Sequence, residues 1–261
     1  MPYRRCLVGA IVLLGVLGTV AGVAAPSASA SVGDPNEEAA WVLFAQVPDG
    51  NRLDALAPAL HRAVGAIRST QRLDGLTGAK PTFMVAYLMD QAESYAGLQA
   101  ALRLGRAFGD RDLTRQAKVV ARAIRRGVPR TWNPSTKAYD WAVHENGARQ
   151  QTNWAELYPD ALSQVWAVRG GLVRGPRSQA LLREFLRRHP SAHDPNAVDL
   201  NDGTAARGGY WTGIGTVLAA VDPSAPRRYL DGTTLASAGS ARAWPYSVQT
   251  AADVIHLATG R

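Results

Sequence analysis

The sequence predicts a mostly α-helical protein built from helical hairpins, with a small β-hairpin or extended loop near residues 130–143. Three observations support this fold class. Apolar residues recur at i, i+3, i+4 and i+7 in several segments, strand signals are nearly absent, and short and long connections alternate along the chain. The alternation indicates that helices pair as antiparallel hairpins.

Each periodic segment predicts one helix. In chain order the helices are expected at about 35–47, 52–69, 91–108, 112–127, 154–171, 176–189, 205–220, 224–231 and 248–259. Between two of them, Trp132, Tyr139 and Trp141 flank the turn-forming run Asn133-Pro134-Ser135-Thr136. Aromatic residues around such a run predict the β-hairpin or extended loop.

The connections predict where a binding surface would lie. Gly109–Arg111 and Val173–Gly175 are tight turns, so each joins two helices into an αα-hairpin. The links between hairpins are much longer, at roughly 70–90, 128–153, 190–204 and 232–247. In a ring or stack of antiparallel hairpins, all the long loops emerge on one rim, and loops of that length are commonly functional.

The N-terminal segment predicts export. Arg4 and Arg5 precede an apolar run over Cys6–Ala25, and Ala28-Ser29-Ala30 is a small-x-small cleavage sequence. This pattern is typical of a Sec-type signal peptide over residues 1–30, cleaved after Ala30. The domain would then span residues 31–261, and the protein would be secreted or held in the cell envelope. If uncleaved, the segment would be a single membrane anchor.

Composition excludes several classes. The chain has 261 residues, 46% hydrophobic and 19% charged, which rules out a collagen, a coiled coil and a disordered tail. The net charge of +8 comes mostly from arginines spread along helices, interpreted as solvated faces, and no Lys/Arg block with interleaved aromatics predicts nucleic-acid binding. After signal cleavage we expect no membrane association. Cys6 is the one cysteine and the histidines lack metal-ligand spacing, so neither a metal nor a cofactor is predicted.

Two predicted helix starts resemble each other. Each has a capping residue, a glutamate three residues later and a tyrosine two residues after that: Asp90, Glu93 and Tyr95 in one, and Asn153, Glu156 and Tyr158 in the other. Such a start can be a capping box, in which the two side chains only satisfy free N–H groups of the first turn. It can also present a carboxylate at the rim.

Asp160 gives the second start a catalytic interpretation. It lies four residues after Glu156, so on a helix the two carboxylates would share one face. Two like charges that close raise the pKa of one of them, which a general acid needs near neutral pH. Pro159 lies between them and would re-aim the start of that helix.

Aromatic residues are concentrated in the same loops and helix starts. The set is Tyr87, Tyr95, Trp132, Tyr139, Trp141, Trp154, Tyr158, Tyr210, Trp211, Trp244 and Tyr246. Packing in the core or at the rim explains part of it. Rings beside carboxylates and amides also suit carbohydrate, because sugars offer C–H faces and hydroxyl groups, and such mixed pockets are typical of ligand sites.

The segment at about 65–190 resembles a known superfamily. The likeness lies in Thr70-Gln71, Asp74–Leu76, Tyr87–Asp90, Glu93–Leu98, Tyr139–Trp141, Trp154 and Tyr158–Ala161. These motifs resemble bacterial six-hairpin glycosidase-like proteins. The resemblance implies an (α/α) toroid with its cleft at the rim where inner helices begin. Six hairpins need about twelve helices, more than the periodic segments supply, so the toroid would be incomplete or closed by irregular segments.

The resemblance implies that acidic residues at the rim act as acid and base, and it places that role on Asp90, Glu93, Glu156 and Asp160. The leading hypothesis is therefore an exported glycoside hydrolase that acts on an envelope or extracellular polysaccharide or oligosaccharide. Its sugar-binding residues would be Tyr87, Tyr95, Asp140, Trp141, Trp154, Tyr158 and Trp211. Three alternatives remain: a non-catalytic glycan-binding protein, a structural scaffold of helical hairpins, and a polysaccharide lyase using His144 and Tyr139.

Overall fold

The computed structural model of the protein describes residues 50–193, 212–229 and 231. Its helices are α1 Gly50–Ser69, α2 Leu88–Ala107, α3 Arg111–Gly127, α4 Leu162–Arg169, α5 Pro176–Arg188 and α6 Thr212–Leu218. Its strands are β1 Ala86–Tyr87, β2 Trp132–Asn133, β3 Ala138–Tyr139, β4 Ala142–Val143 and β5 Arg149–Gln150. The predicted signal peptide and the predicted helices at 35–47 and 248–259 lie outside the described residues.

The prediction of a mainly helical chain is confirmed. The expected helices at 52–69, 112–127 and 176–189 correspond within two residues to α1, α3 and α5. The expected helix at 205–220 is described from Thr212 onward as α6, and residues 225–229 are helical where a helix at 224–231 was expected. The tight turns are also present, since Gly109 and Gly175 adopt the positive φ angles of 71° and 70° that such turns require.

The helices pack as hairpins, and one helix of each hairpin belongs to a central row. α2 packs on α3 and α4 packs on α5, which gives the two predicted αα-hairpins. α2 also packs against α4, and α4 against α6, so these three form a row, while α1 packs on α3 outside it. Burial follows this arrangement. α3 buries one stripe of its residues. In α4 seven of the eight residues are buried, so this helix is buried around its whole circumference.

The described residues form two small antiparallel sheets, one of them at the start of α2. β2 and β3 form the hairpin predicted within 130–143, with Trp132 opposite Tyr139. The second sheet has the order β1-β4-β5 and pairs Tyr87 with Ala142, directly before α2 begins. The first backbone N–H of the helix, from Leu88, donates to the carbonyl of Trp141 at 2.9 Å. The long 128–153 connection is therefore held against the beginning of α2.

The start of α2 differs from the prediction. The helix begins at Leu88, three residues before the expected start, and Tyr87 is its N-cap without a side-chain capping bond. Asp90 therefore lies inside the first turn and is not the capping residue. The sheet pairing of Tyr87 and the bond from Leu88 to Trp141 fix this earlier start, and neither contact is visible in local sequence. At α3 the expected kind of cap is present, because Asp110 accepts the N–H of Leu113 at 2.9 Å.

The predicted helix at 154–171 is wrong in its first half. Residues 154–155 form a turn in which the Asn153 side chain accepts the N–H of Ala155, a local bond that competes with helix formation. Leu157–Ala161 then form one wide π-type turn, in which the N–H of Ala161 donates to the backbone carbonyl of Glu156, and regular helix begins only at Leu162. Tyr158 is extended, as a residue before proline prefers, and the Tyr158–Pro159 peptide bond is cis. Glu156 and Asp160 are therefore not on one helix face.

Two buried glutamines attach the long loops to the helix row. Gln91 of α2 accepts the backbone N–H of Thr77 and donates to its carbonyl, at 2.9 and 2.8 Å. Gln164 of α4 makes the same two bonds to the backbone of Tyr139, both at 2.9 Å. Both side chains are almost fully buried. Each amide thus satisfies two peptide groups that would otherwise be buried without partners, which makes these loop positions rigid.

Candidate functional site

The structure divides the predicted catalytic residues between two places. Asp90 and Glu93 lie in the first two turns of α2, where Glu93 contacts Trp166 of α4. Glu156 and Asp160 lie in the irregular turn that precedes α4, where Asp160 contacts Asn153. The contacts that place the two pairs are different.

Asp90, Glu93, Trp166 and Arg169 form a mixed acidic cluster, here called the Asp90 cluster. The indole N–H of Trp166 donates to a Glu93 carboxylate oxygen at 3.1 Å. The Arg169 guanidinium lies 5.5 Å from the centre of the Trp166 ring and acts electrostatically on Glu93. α4 therefore supplies both an N–H donor and a positive charge to the Glu93 carboxylate of α2.

Burial, together with the neighbouring charge of Glu93, raises the pKa of Asp90 to about 7. Burial also raises the pKa of Glu93, but the Trp166 hydrogen bond and the Arg169 charge oppose this change. The two carboxyl groups thus have different environments one helical turn apart. Near neutral pH, Asp90 can both hold and release a proton, while Glu93 has partners that stabilise its anion.

Tyr87 and Trp141 stack at the beginning of the same helix. Their ring centres are 5.9 Å apart with an interplanar angle of 11°, and both side chains are half-buried. Tyr87 immediately precedes α2 and the Trp141 carbonyl accepts the helix's first N–H. Two of the predicted sugar-binding aromatics therefore share the helix start that carries Asp90.

Asp160 has a structural environment. Its carboxylate accepts the backbone N–H of Asn153 at 2.7 Å, and the residue is only 7% exposed. Burial is the main cause that raises its pKa, and the Glu156 charge adds to it, as expected for neighbouring carboxylates. Glu156 itself is exposed. Asp160 therefore stabilises the turn before α4 through its bond to the Asn153 backbone.

A groove lies between the β2–β3 hairpin, residues 152–155 and the hairpin of α4 and α5. It has a volume of about 1190 Å³ and is here called the Trp132 groove. Trp132, Tyr139 and Trp154 contribute aromatic rings to it, and the Trp154 indole N–H is held by the Thr136 carbonyl at 2.9 Å. Three segments distant in sequence thus form one concave surface. It adjoins the turn that Asp160 holds, because Asn153 belongs to both.

The remaining predicted binding residues have varied surroundings. Tyr95 is buried in the hydrophobic core. Asp140 is 1% exposed, and its carboxylate is bonded to Asn133 at 3.1 Å and to Arg149 at 3.2 Å. Tyr158 is 45% exposed, and Trp211 lies outside the described residues. The structure therefore brings Tyr87 and Trp141 to the Asp90 cluster and Trp154 to the Trp132 groove.

Several residues in these places were not among the predicted site residues. Trp166 and Arg169 belong to the Asp90 cluster. Gln164 bonds to the backbone of Tyr139, which lines the groove. Gln164 gave a usable signal, since a glutamine inside the apolar run of a predicted helix is polar at a core position. Arg187 and Arg188, interpreted from sequence as a solvated face, line the Trp132 groove.

The two residues that could form a lyase site have different contacts. Tyr139 is in the Trp132 groove, with its hydroxyl 3.5 Å from Arg177. His144 follows β4 and contacts Gln150 at 3.2 Å. Within residues 50–193, 212–229 and 231, the structure has no group of three or more His, Cys, Asp or Glu side chains that could hold a metal ion.

Within the same described part of the chain, no helix has both the length and the apolar character needed to cross a membrane. Comparison with known proteins gives no match, whether to protein-family models, to curated proteins or to solved structures.

Proposed function

We propose that this chain is a carbohydrate-active protein that hydrolyses a glycosidic bond of an envelope or extracellular glycan at the Asp90 cluster. The observation that carries the proposal is the half-buried carboxyl pair, Asp90 and Glu93, at a helix start that also presents the stacked rings of Tyr87 and Trp141. Paired carboxyl groups beside aromatic rings provide both the acid–base chemistry and the apolar surface that glycoside hydrolysis uses.

In the proposed mechanism Asp90 is the general acid. Its pKa of about 7 keeps a substantial fraction protonated near neutral pH, so it can donate a proton to the glycosidic oxygen as the C–O bond breaks. Glu93 is the second carboxylate, and its anion is stabilised by the Trp166 N–H and the Arg169 charge. It either activates the attacking water or attacks the anomeric carbon, the two alternatives that paired-carboxylate enzymes use.

Asp90→Asn and Glu93→Gln test this function. Each change removes an ionisable group with little change of shape, so we expect reducing-sugar release from a panel of envelope glycans to fall at least 100-fold. Glu145→Gln is the matched control, because Glu145 is an exposed carboxylate in the loop between β4 and β5. Full activity in both Asp90→Asn and Glu93→Gln would overturn the assignment.

We also propose the toroid-like arrangement for the whole domain. The row of α2, α4 and α6, with α1, α3 and α5 packed outside it, is the arrangement of inner and outer helices that a ring of hairpins needs. The burial of α4 on all sides supports its place in an inner row. Small-angle scattering of the full chain tests this, since a ring of hairpins is more compact than a linear stack of the same length.

A non-catalytic glycan-binding protein is the second candidate. The Trp132 groove favours it, because this groove of about 1190 Å³ is lined by three aromatic residues and neither Asp90 nor Glu93 is among its lining residues. The two candidates differ in one measurement. A binding protein would retain glycans of the panel without releasing any reducing ends, whereas the hydrolase would release them.

A further inference from the structure

We propose that the Trp132 groove binds an acidic oligosaccharide, recognised through carboxylate or phosphate groups on the sugar chain. The inference rests on the proposed function for its carbohydrate class, but it does not require that the protein hydrolyse the ligand. It assigns to this groove a charge preference that the Asp90 cluster, with its two carboxyl groups, does not share.

The charges lining the groove are strongly unbalanced. Five of its side chains are cationic, namely Lys137, Arg174, Arg177, Arg187 and Arg188, and one, Glu184, is acidic. Arg187 and Arg188 bond to Glu184 at 2.8 and 2.9 Å, and these contacts lower its pKa to about 2. In the described part of the chain, no carboxylate lies within ion-pair distance of the other three cations. The groove therefore has positive charge that an anionic ligand can neutralise.

Arg177 has a fixed position in this groove. Its guanidinium lies 4.4 Å from the centre of the Trp132 ring, and one of its nitrogens is 3.5 Å from the Tyr139 hydroxyl. A guanidinium placed over an aromatic ring keeps N–H groups that can bond both oxygens of a carboxylate or phosphate. Because Gln164 fixes the backbone of Tyr139, the surface beneath Arg177 is also rigid.

Lys137 supplies a second cation to the groove, and its backbone has a positive φ angle. It is at the tip of the β2–β3 hairpin with φ of 52°, the only described non-glycine residue with positive φ. That conformation costs a non-glycine residue about 1 kcal/mol. Glycine would remove the cost, yet the chain places a lysine there, on the wall of the groove. Strain retained at a surface position is typical of residues that contact a ligand.

The other lining groups favour a sugar chain over a nucleic acid. Asn153 is exposed and offers an amide, and Ser135 and Thr136 offer hydroxyl groups, which suit the many hydroxyls of an oligosaccharide. Stacking of bases needs open aromatic faces. Here Arg177 covers one face of Trp132, and Trp154 and Tyr139 are only 7% and 4% exposed. The rings form an apolar floor, and the specific contacts come from cations and polar groups.

Calorimetric titration of the full chain tests the proposal with four probes: a hexa-uronate, a sugar-phosphate oligomer, a neutral hexasaccharide and oligothymidylate. We expect measurable affinity for the uronate, the phosphate oligomer or both, at least tenfold above the neutral hexasaccharide and oligothymidylate. Arg177→Gln should weaken it at least tenfold. Lys137→Gly should weaken it several-fold without lowering thermal stability, because glycine relieves the positive φ. The stronger of the two acidic probes identifies the anionic group.

Two control variants separate this proposal from its alternatives. Arg183→Gln removes an exposed cation from α5 outside the groove, so it should leave binding unchanged. Glu145→Gln, at an exposed carboxylate outside the groove, should also leave it unchanged. No binding of either acidic probe, equal or tighter binding of the neutral sugar or the oligonucleotide, or equal weakening by Arg183→Gln would overturn the proposal. Binding that persists in a chain without hydrolytic activity would overturn the proposed function alone.

Discussion

Asp90 and Glu184 are both helix carboxylates, yet their surroundings move their pKa values in opposite directions. Asp90 is half-buried beside another carboxylate, which raises its pKa to about 7. Glu184 bonds to Arg187 and Arg188, which lowers its pKa to about 2. The difference identifies Asp90 as the group that exchanges a proton near neutral pH and Glu184 as a permanently charged partner.

The first prediction concerns the stability cost of Asp90. Between pH 4 and pH 7 the folded chain keeps a proton on Asp90 that the unfolded chain has released, so stability falls as the pH rises through this window. Asp90→Asn removes this loss. We expect the variant to exceed the natural chain in free energy of unfolding by about 2–4 kcal/mol at pH 8, and to equal it near pH 4.

Urea unfolding of both chains at pH 4 and pH 8 measures this difference. Glu145→Gln is again the control, because an exposed carboxylate should give no difference between the two pH values. A variant with the same relative stability at both pH values would show that the Asp90 carboxyl group is not buried as described.

The second prediction concerns Gln164. Methionine has a similar volume but neither accepts nor donates the bonds to Tyr139 and Thr152. Buried peptide groups left without partners are costly, so Gln164→Met should lower the free energy of unfolding by about 2–4 kcal/mol. Gln151→Met, at an exposed loop position, should change it by less than about 0.5 kcal/mol. Equal effects in the two variants would show that Gln164 does not hold the loop.

At the scale of elements, the contact between α2 and α4 depends on Gly170 at the end of α4. A Cβ atom at this position would lie 2.5 Å from the carbonyl oxygen of Ala92 in α2. Asp90 is two residues before Ala92, so a shift of this contact would also move the Asp90 cluster. The small residue therefore sets the distance between the two helices that form the site.

The third prediction follows from this close approach. Gly170→Ala should lower the free energy of unfolding by about 2–3 kcal/mol, because the backbone of α2 or α4 must shift. Gly65→Ala in α1 is the matched control, since a Cβ atom there would have nothing within 4 Å. It should raise stability by about 0.5–1 kcal/mol, as expected for alanine in a helix. Thermal unfolding of both variants measures the pair, and a Gly170→Ala chain as stable as Gly65→Ala would contradict the packing.

The elements also show what local sequence can predict. The apolar stripe of α3 and its Asp110 cap are both local features. The stripe follows from the spacing of apolar residues, and an aspartate before a helix is a common capping residue. The irregular turn before α4 was not predictable, because the Asn153 side-chain bond and the extended Tyr158 compete with a helical pattern that the apolar spacing also satisfies. The start of α2 depends on pairing with β4, more than 50 residues later.

At the scale of the whole molecule, the Trp132 groove could not be predicted because it combines residues 132–139, 152–155 and 172–188. Sequence placed Trp154 among sugar-binding residues and Arg187 on a solvated helix face, with nothing to join them. The Asp90 cluster was half predictable. Asp90 and Glu93 were identified from their own helix, whereas Trp166 and Arg169 come from another hairpin.

The fourth prediction concerns the chain as an exported product. We expect the protein recovered outside the cytoplasm to begin at Ser31, because Ala28 and Ala30 provide the small side chains that signal cleavage needs. Replacing both alanines by arginine should block cleavage, whereas Ser29→Arg, at the position between them, should permit it. N-terminal sequencing of the exported protein decides this, and an intact Met1 terminus on the natural chain would contradict it.

The bonds from Gln164 to Tyr139 have a consequence for how this surface can diversify. The glutamine binds the main-chain N–H and C=O of residue 139, so its attachment is indifferent to the side chain that this residue carries. Exposed side chains of the β2–β3 hairpin, such as Ser135 and Lys137, can therefore change while its anchorage on α4 stays the same. For protein engineering, residues 132–139 form a loop whose exposed positions can be varied while the helices that hold it stay unchanged.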